Sequence, residues 1–197
     1  MNIAIDIDDT LAQTSEYFMP FIATYFHVDE AELWEKNITY DDLPAEWQDR
    51  KDDFYRSYFD RVVPLTPFKP GAARAVDALR ARGHRIVILT ARSTRYYTDP
   101  YATTVEQLRR GGIAYDKLIC ERDKAAACLR EKIDVLIDDY LPNCDAVAAV
   151  GVAIINMRSL ANRNAQPPYP RVDDWKEALA AVLRMEDKTG EPPANEY

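Results

Sequence analysis

Cysteine and histidine are scarce, with three of the first and two of the second. Cys120, Cys128 and Cys144 are odd in number and follow no zinc-ligand spacing, so neither a disulfide framework nor a zinc centre is expected. They read as buried free thiols in a reducing cytosol. His27 and His84 belong to no partner pattern and receive no role. No apolar run is long enough to cross a bilayer. The N-terminus lacks the basic stretch leading into an apolar one that marks a signal peptide, so a cytoplasmic location is expected. Positive charge is also short: the formal net charge is −8, and no basic patch stands out. That argues against duplex nucleic acid and against anionic membranes as partners. A small anionic substrate stays allowed, because a few placed cations and a metal reverse the local field. There is no internal repeat or low-complexity tract, and no pattern sets an oligomeric state.

What remains is an ordinary globular composition, 47% hydrophobic and 29% charged over 197 residues, suited to one α/β domain with a modest insertion. Short apolar runs recur at Ile3–Ile7, Ile86–Leu89, Leu118–Ile119, Val135–Ile137 and Val152–Ile155. Runs of this length suit strands buried on both faces. Helix-like stretches lie among them at Ala72–Ala81, Thr103–Arg110 and Asp145–Val150, with a last one over about Asp173–Leu183. Asp173 and Asp174 are its capping candidates. The alternation implies a parallel sheet with right-handed crossovers.

Residues 14–68 break this pattern. They hold all 6 Phe and two Trp, together with Tyr17, Tyr25, Tyr40, Tyr55 and Tyr58, and no strand-like run. The segment reads either as a helical subdomain inserted after the first strand or as an aromatic face packed on the main core. Beyond about Met185 the chain is polar, with Pro192-Pro193, and is expected to be disordered.

Carboxylates gather at the ends of two apolar runs. Asp6-Ile7-Asp8-Asp9-Thr10 ends the first, and extended alternation puts Asp6 and Asp8 on one side. Asp138-Asp139-Tyr140 ends the fourth. Crowded acids at a buried strand end cost repulsion and desolvation, for which a cation compensates. Magnesium, which favours carboxylate oxygens with phosphate and water, fits such a pair of clusters. The plainer alternative for each is a solvated acidic turn or a helix cap. Leu89-Thr90-Ala91-Arg92 follows the second run, where a hydroxyl and backbone N–H groups can hold a phosphate oxygen. Lys124, near a helix start, can neutralise phosphate charge or be an ordinary surface lysine. The joint order matters more than any part, because ligands of open parallel sheets bind beyond the strands' carboxyl ends.

These four motifs resemble those of the haloacid dehalogenase superfamily of phosphohydrolases, over about residues 1–155. Many members of that superfamily have Gly where Asp9 stands here. The likeness is strongest to its 5′(3′)-deoxyribonucleotidase-type family, on Ile5-Asp6-Ile7-Asp8-Asp9-Thr10-Leu11, Leu89-Thr90-Ala91-Arg92 and Ile137-Asp138-Asp139. The resemblance implies a Rossmann-like core, residues 1–13 and 69–184, with the first strand central. It makes 14–68 a helical cap and leaves 185–197 as a tail. It further implies that Asp6 is a nucleophile forming an aspartyl-phosphate, and Asp8 a general acid and then base. Thr90, Ala91 and Lys124 would bind phosphate. Mg2+ would be held by Asp6, the Asp8 backbone carbonyl and Asp138, with Asp139 nearby, and Arg92 is a further supporting residue of the site.

Substrate choice is less legible. Tyr17, Phe18, Phe21, Trp34, Tyr40 and Trp47 offer rings to a nucleotide base, or else fill a core. Arg92 and Arg95 can reach a phosphate or sugar, or sit in a solvated loop. Beside a 5′-nucleotidase stand a sugar-phosphate phosphatase and a non-catalytic, receiver-like phosphate-binding module. In receivers the lysine follows the phosphorylated aspartate, whereas Lys124 precedes Asp138.

Overall fold

The structure, a computed structural model, describes residues 1–190. Five strands lie where the apolar runs predict them: β1 (Asn2–Ile5), β2 (Arg85–Thr90), β3 (Lys117–Cys120), β4 (Val135–Asp138) and β5 (Ala153–Met157). A sixth, β6 (Arg171–Val172), has only 2 residues and too little apolar content to stand out in the sequence. All pair in parallel in the order β3-β2-β1-β4-β5-β6. The chain therefore has an α/β fold with β1 near the middle, flanked by β2 and β4.

Alternation along each strand feeds two cores. Ile3, Ile5, Ile86, Ile88, Val135 and Ile137 face one side of the sheet. There they meet α4 (Ala72–Ala81), α5 (Pro100–Gly111) and α8 (Trp175–Gly190). Ala4, Val87, Leu89, Leu136 and Ile154 face the other side, with α6 (Lys124–Glu131) and α7 (Leu141–Ala148). Helices on both faces explain why these strands read as unbroken apolar runs.

Three helix ends differ from expectation. Asp99 caps α5 by accepting from the Ala102 N–H (2.9 Å), with Pro100 in the first turn, so the helix begins before Thr103. Pro142 likewise lies inside the first turn of α7, which starts at Leu141 rather than Asp145. The Glu177 N–H donates to Asp174 Oδ1 (2.8 Å) at the start of α8. That helix continues to Gly190, past the expected Leu183; the rest of the expected tail, 191–197, lies outside the described residues.

Between β1 and α4 the chain forms α1 (Thr14–Phe26), α2 (Glu30–Lys36), a 3-10 turn (Ala45–Arg50) and α3 (Lys51–Val62). These helices pack around their own aromatic cluster, with Phe18, Phe26, Phe54 and Phe59 buried. The excursion leaves and returns at one narrow neck. An antiparallel bridge joins Ala12 to Phe68, the Gln13 N–H donates to Pro67 O (2.9 Å), and the Lys69 N–H to Leu11 O (2.7 Å).

Trp175 ties α8 to the loop after β1. Its ring is fully buried, and Nε1–H donates to Thr10 O (3.0 Å). Trp175→Ala is expected to lower stability by about 3–5 kcal/mol, measured by urea unfolding. Trp175→Phe is expected to lose far less, chiefly that one hydrogen bond, at about 1 kcal/mol.

Candidate active site

The carboxyl ends of β1, β2 and β4 open on one cleft of about 370 Å³. Asp6, Asp8, Asp9, Thr90, Ala91, Arg92, Lys124 and Asp139 all line it, and Asp138 is fully buried. Asp6 follows β1, and its N–H continues the ladder to Ile137 O (3.0 Å). Thr90 ends β2, where its carbonyl accepts from the Glu121 N–H (2.8 Å). Lys124 opens α6, whose first turn is capped by the Asp123 carboxylate.

Lys124 is buried and donates to both acid clusters, at 2.5 Å to Asp6 Oδ1 and 2.6 Å to Asp138 Oδ2. Burial works against its charge, but Asp138 and Asp6 more than offset this and hold it above the usual lysine range. Burial raises Asp6 from 3.8 to about 7; Lys124 opposes the rise, and Asp138 and Asp8 add to it. Burial, with Asp9 and Asp138 nearby, also holds Asp139 well above its ordinary value.

One oxygen from each of Asp6, Asp138 and Asp139 lies within 4.8 Å of the other two, and all three residues are buried. Such a hard, oxygen-only set fits magnesium. The Asp8 carboxylate is not in this trio. Its Oδ2 accepts from Arg92 Nε (3.0 Å), and its Oδ1 from the second Arg92 nitrogen and from Thr14 Oγ1 (both 2.9 Å). Arg92 is therefore buried on Asp8, not in a solvated loop. Arg95 pairs with Asp52 on α3 at 2.8 Å.

Asp9 serves the loop itself. It adopts the left-handed conformation (φ 59°), and its carboxylate accepts from the Ser15 N–H (2.7 Å) and Oγ–H (2.5 Å). The positive φ is why a glycine serves equally at such a turn. Burial raises Asp9 to about 7, against the pull of the Ser15 bonds.

Several contributors are silent in the sequence. Asn156 Nδ2 donates to the carbonyls of Asp138 (3.2 Å) and Asp139 (3.1 Å), and Asn162 Nδ2 to that of Asp139 (2.8 Å). Asn143 Nδ2 reaches Asp138 Oδ2 at 3.2 Å. The one available signal was the polar Asn156 directly after the Val152–Ile155 run. Of the six rings named above, only Tyr40 lines the cleft. Phe18 is fully buried in the aromatic cluster, Trp47 stacks on Phe26 with centroids 4.4 Å apart, and Trp34 is 40% exposed. The cleft instead receives Tyr55, Phe59, Tyr96, Tyr97 and Tyr140. The three cysteines are free, with Cys128 and Cys144 buried and Cys120 half-buried. Among the described residues no helix is long and apolar enough to cross a membrane.

No protein-family model matches the chain, and no curated protein matches it by sequence. Solved structures do match it in fold. A predicted phosphatase from Clostridium acetobutylicum aligns with a TM-score of 0.66 at 16% identity, covering 93% of this chain and 98% of its own. A HAD family hydrolase from Deinococcus radiodurans, solved with bound phosphate and sodium, aligns at 0.64 and 15% identity, covering 94% and 96%. CbbY from Rhodobacter sphaeroides, in complex with phosphate, aligns at 0.58 and 19% identity, covering 89% and 95%. The fold is thus the Rossmann-like one of haloacid dehalogenase-type hydrolases.

Asp6 and Asp9 hold protons in the folded chain that they release near 3.8 when unfolded. The folded state binds more protons between those values, so its stability falls as pH rises from about 4 through about 7. A divalent cation that favours ionised Asp6 opposes this fall. Thermal unfolding in chelator is expected to give a lower Tm at pH 8 than at pH 5, and added Mg2+ to raise Tm more at pH 8.

Proposed function

We propose that the chain is a magnesium-dependent phosphomonoesterase acting through an aspartyl-phosphate on Asp6. The convergence of Asp6, Asp8, Thr90 and Lys124 on one cleft at the sheet's carboxyl edge, with buried Asp138 paired to Lys124 behind it, carries this reading. Asp6, Asp138 and Asp139 supply the carboxylates for the magnesium, and the Asp8 carbonyl is a further ligand by resemblance. When bound, the ion offsets the repulsion between a carboxylate nucleophile and a phosphate dianion.

The chain's own groups divide the remaining work. Asp6 Oδ attacks phosphorus, and the P–O ester bond breaks. Asp8 gives its proton to the leaving oxygen, then takes one from the water that hydrolyses the aspartyl-phosphate. Lys124, Thr90 and the Ala91 N–H hold phosphoryl oxygens as charge builds on them. Residues 14–68 act as a cap that closes the cleft with Tyr40, Tyr55 and Phe59.

For substrate, the reading favours a nucleoside 5′-monophosphate. The rings of Tyr55, Phe59, Tyr96 and Tyr97 line the cleft, and stacking contributes about 1–3 kcal/mol per base. A sugar phosphate is the second reading, supported by the likeness to CbbY, one form of which was solved with xylulose-(1,5)bisphosphate.

Phosphate release from a panel of nucleoside monophosphates and sugar phosphates, with and without Mg2+, tests both. Higher kcat/KM for nucleotides is the expected result, and a clear preference for sugar phosphates selects the second reading. Asp6→Asn is expected to lower turnover by at least about 10³-fold while thermal unfolding remains cooperative. Unchanged turnover by this variant removes Asp6 from its role.

A further inference from the structure

We infer that Arg92 is the positioning residue for Asp8, holding that carboxyl in the one orientation from which it serves the leaving oxygen. The inference rests on the phosphomonoesterase reading above. The two side chains meet in a two-point contact, Nε to Oδ2 and a terminal nitrogen to Oδ1, which fixes the plane of the carboxyl as well as its distance. The other terminal nitrogen donates to Thr104 Oγ1 (3.2 Å), and that hydroxyl in turn donates to Pro100 O (2.6 Å) on α5. The guanidinium also lies 5.8 Å from the centre of the Tyr97 ring. Three of its five N–H groups have protein partners, two of them on Asp8, and the side chain is only 2% exposed. Its two-point contact is with Asp8, so its part in the reaction runs through that carboxyl.

The arrangement separates the two acids. Lys124 attends Asp6 and Asp138, while Arg92 attends Asp8 alone. In the first step Asp6 Oδ bonds to phosphorus, the ester P–O bond breaks, and the Asp8 proton passes to the departing oxygen, leaving an alcohol and an Asp8 carboxylate. Aryl leaving groups such as p-nitrophenolate depart without that proton, so they report attack independently of acid assistance.

The test compares kcat/KM for an alkyl phosphate monoester and for p-nitrophenyl phosphate in the full chain and in Arg92→Met, Arg92→Lys and Thr104→Val. Arg92→Met is expected to lose about 10²-fold on the alkyl ester and less than about 5-fold on the aryl ester. Arg92→Lys, which keeps the charge but not the two-point contact, is expected to show the same split. Thr104→Val, which leaves Arg92 in place without its anchor, is expected to show a smaller split in the same direction and secures the test should Arg92→Met fail to fold. Equal losses on both esters, or no loss on either, overturn the assignment of Arg92 alone. Release of no phosphate from either ester by the unsubstituted chain overturns the phosphomonoesterase reading and this assignment with it.

Discussion

A single buried ammonium holds the centre of the molecule together. Lys124 reaches from the first turn of α6 to carboxylates at the ends of β1 and β4, strands that are neighbours in the sheet. A charge taken out of water at such depth is costly unless paired and hydrogen-bonded. Here it is paired twice, and the acids it meets are themselves too crowded to lie side by side uncompensated. The lysine is thus a resident counter-ion for the carboxylates. It also obliges α6 to enter the sheet at one height, because displacement in either direction strands a charge.

Around that centre, rigidity comes from amides and hydroxyls. Asn156 and Asn162 grip the carbonyls of Asp138 and Asp139, and Ser15 grips Asp9 in its left-handed turn. None of these groups needs to touch a substrate. Their work is to keep acidic side chains on short tethers, so that the geometry exists before a ligand arrives and little ordering is left to binding.

How much of this was legible follows from what each feature demands of the sequence. Strands covered on both faces must be apolar throughout, so β1, β2, β4 and β5 announce themselves, and the acids that end β1 and β4 stand out against them. The two residues of β6 carry no such mark. Helix starts at Pro100 and Leu141 were hidden because a proline in the first turn of a helix reads first as a turn signal. The partner of Arg92 was invisible for a different reason. Its contact with Asp8 spans 84 residues, and nothing local distinguishes a guanidinium bound inside from one in solvent. Cleft aromatics could not be told from core rings on the same ground: Phe18 and Tyr55 are both rings on helices, and only the packing of those helices decides which one meets the cavity.

The narrow neck at Ala12 and Phe68 has its own consequence. Because the aromatic excursion begins and ends at facing residues, its length is uncoupled from the sheet, and lengthening or shortening it leaves the register of β1 untouched. The outer helices bear on the rest of the chain through Asp52 and Asp60, which bond Arg95, Tyr96 and Thr98, so a change in them is felt first in the loop after β2.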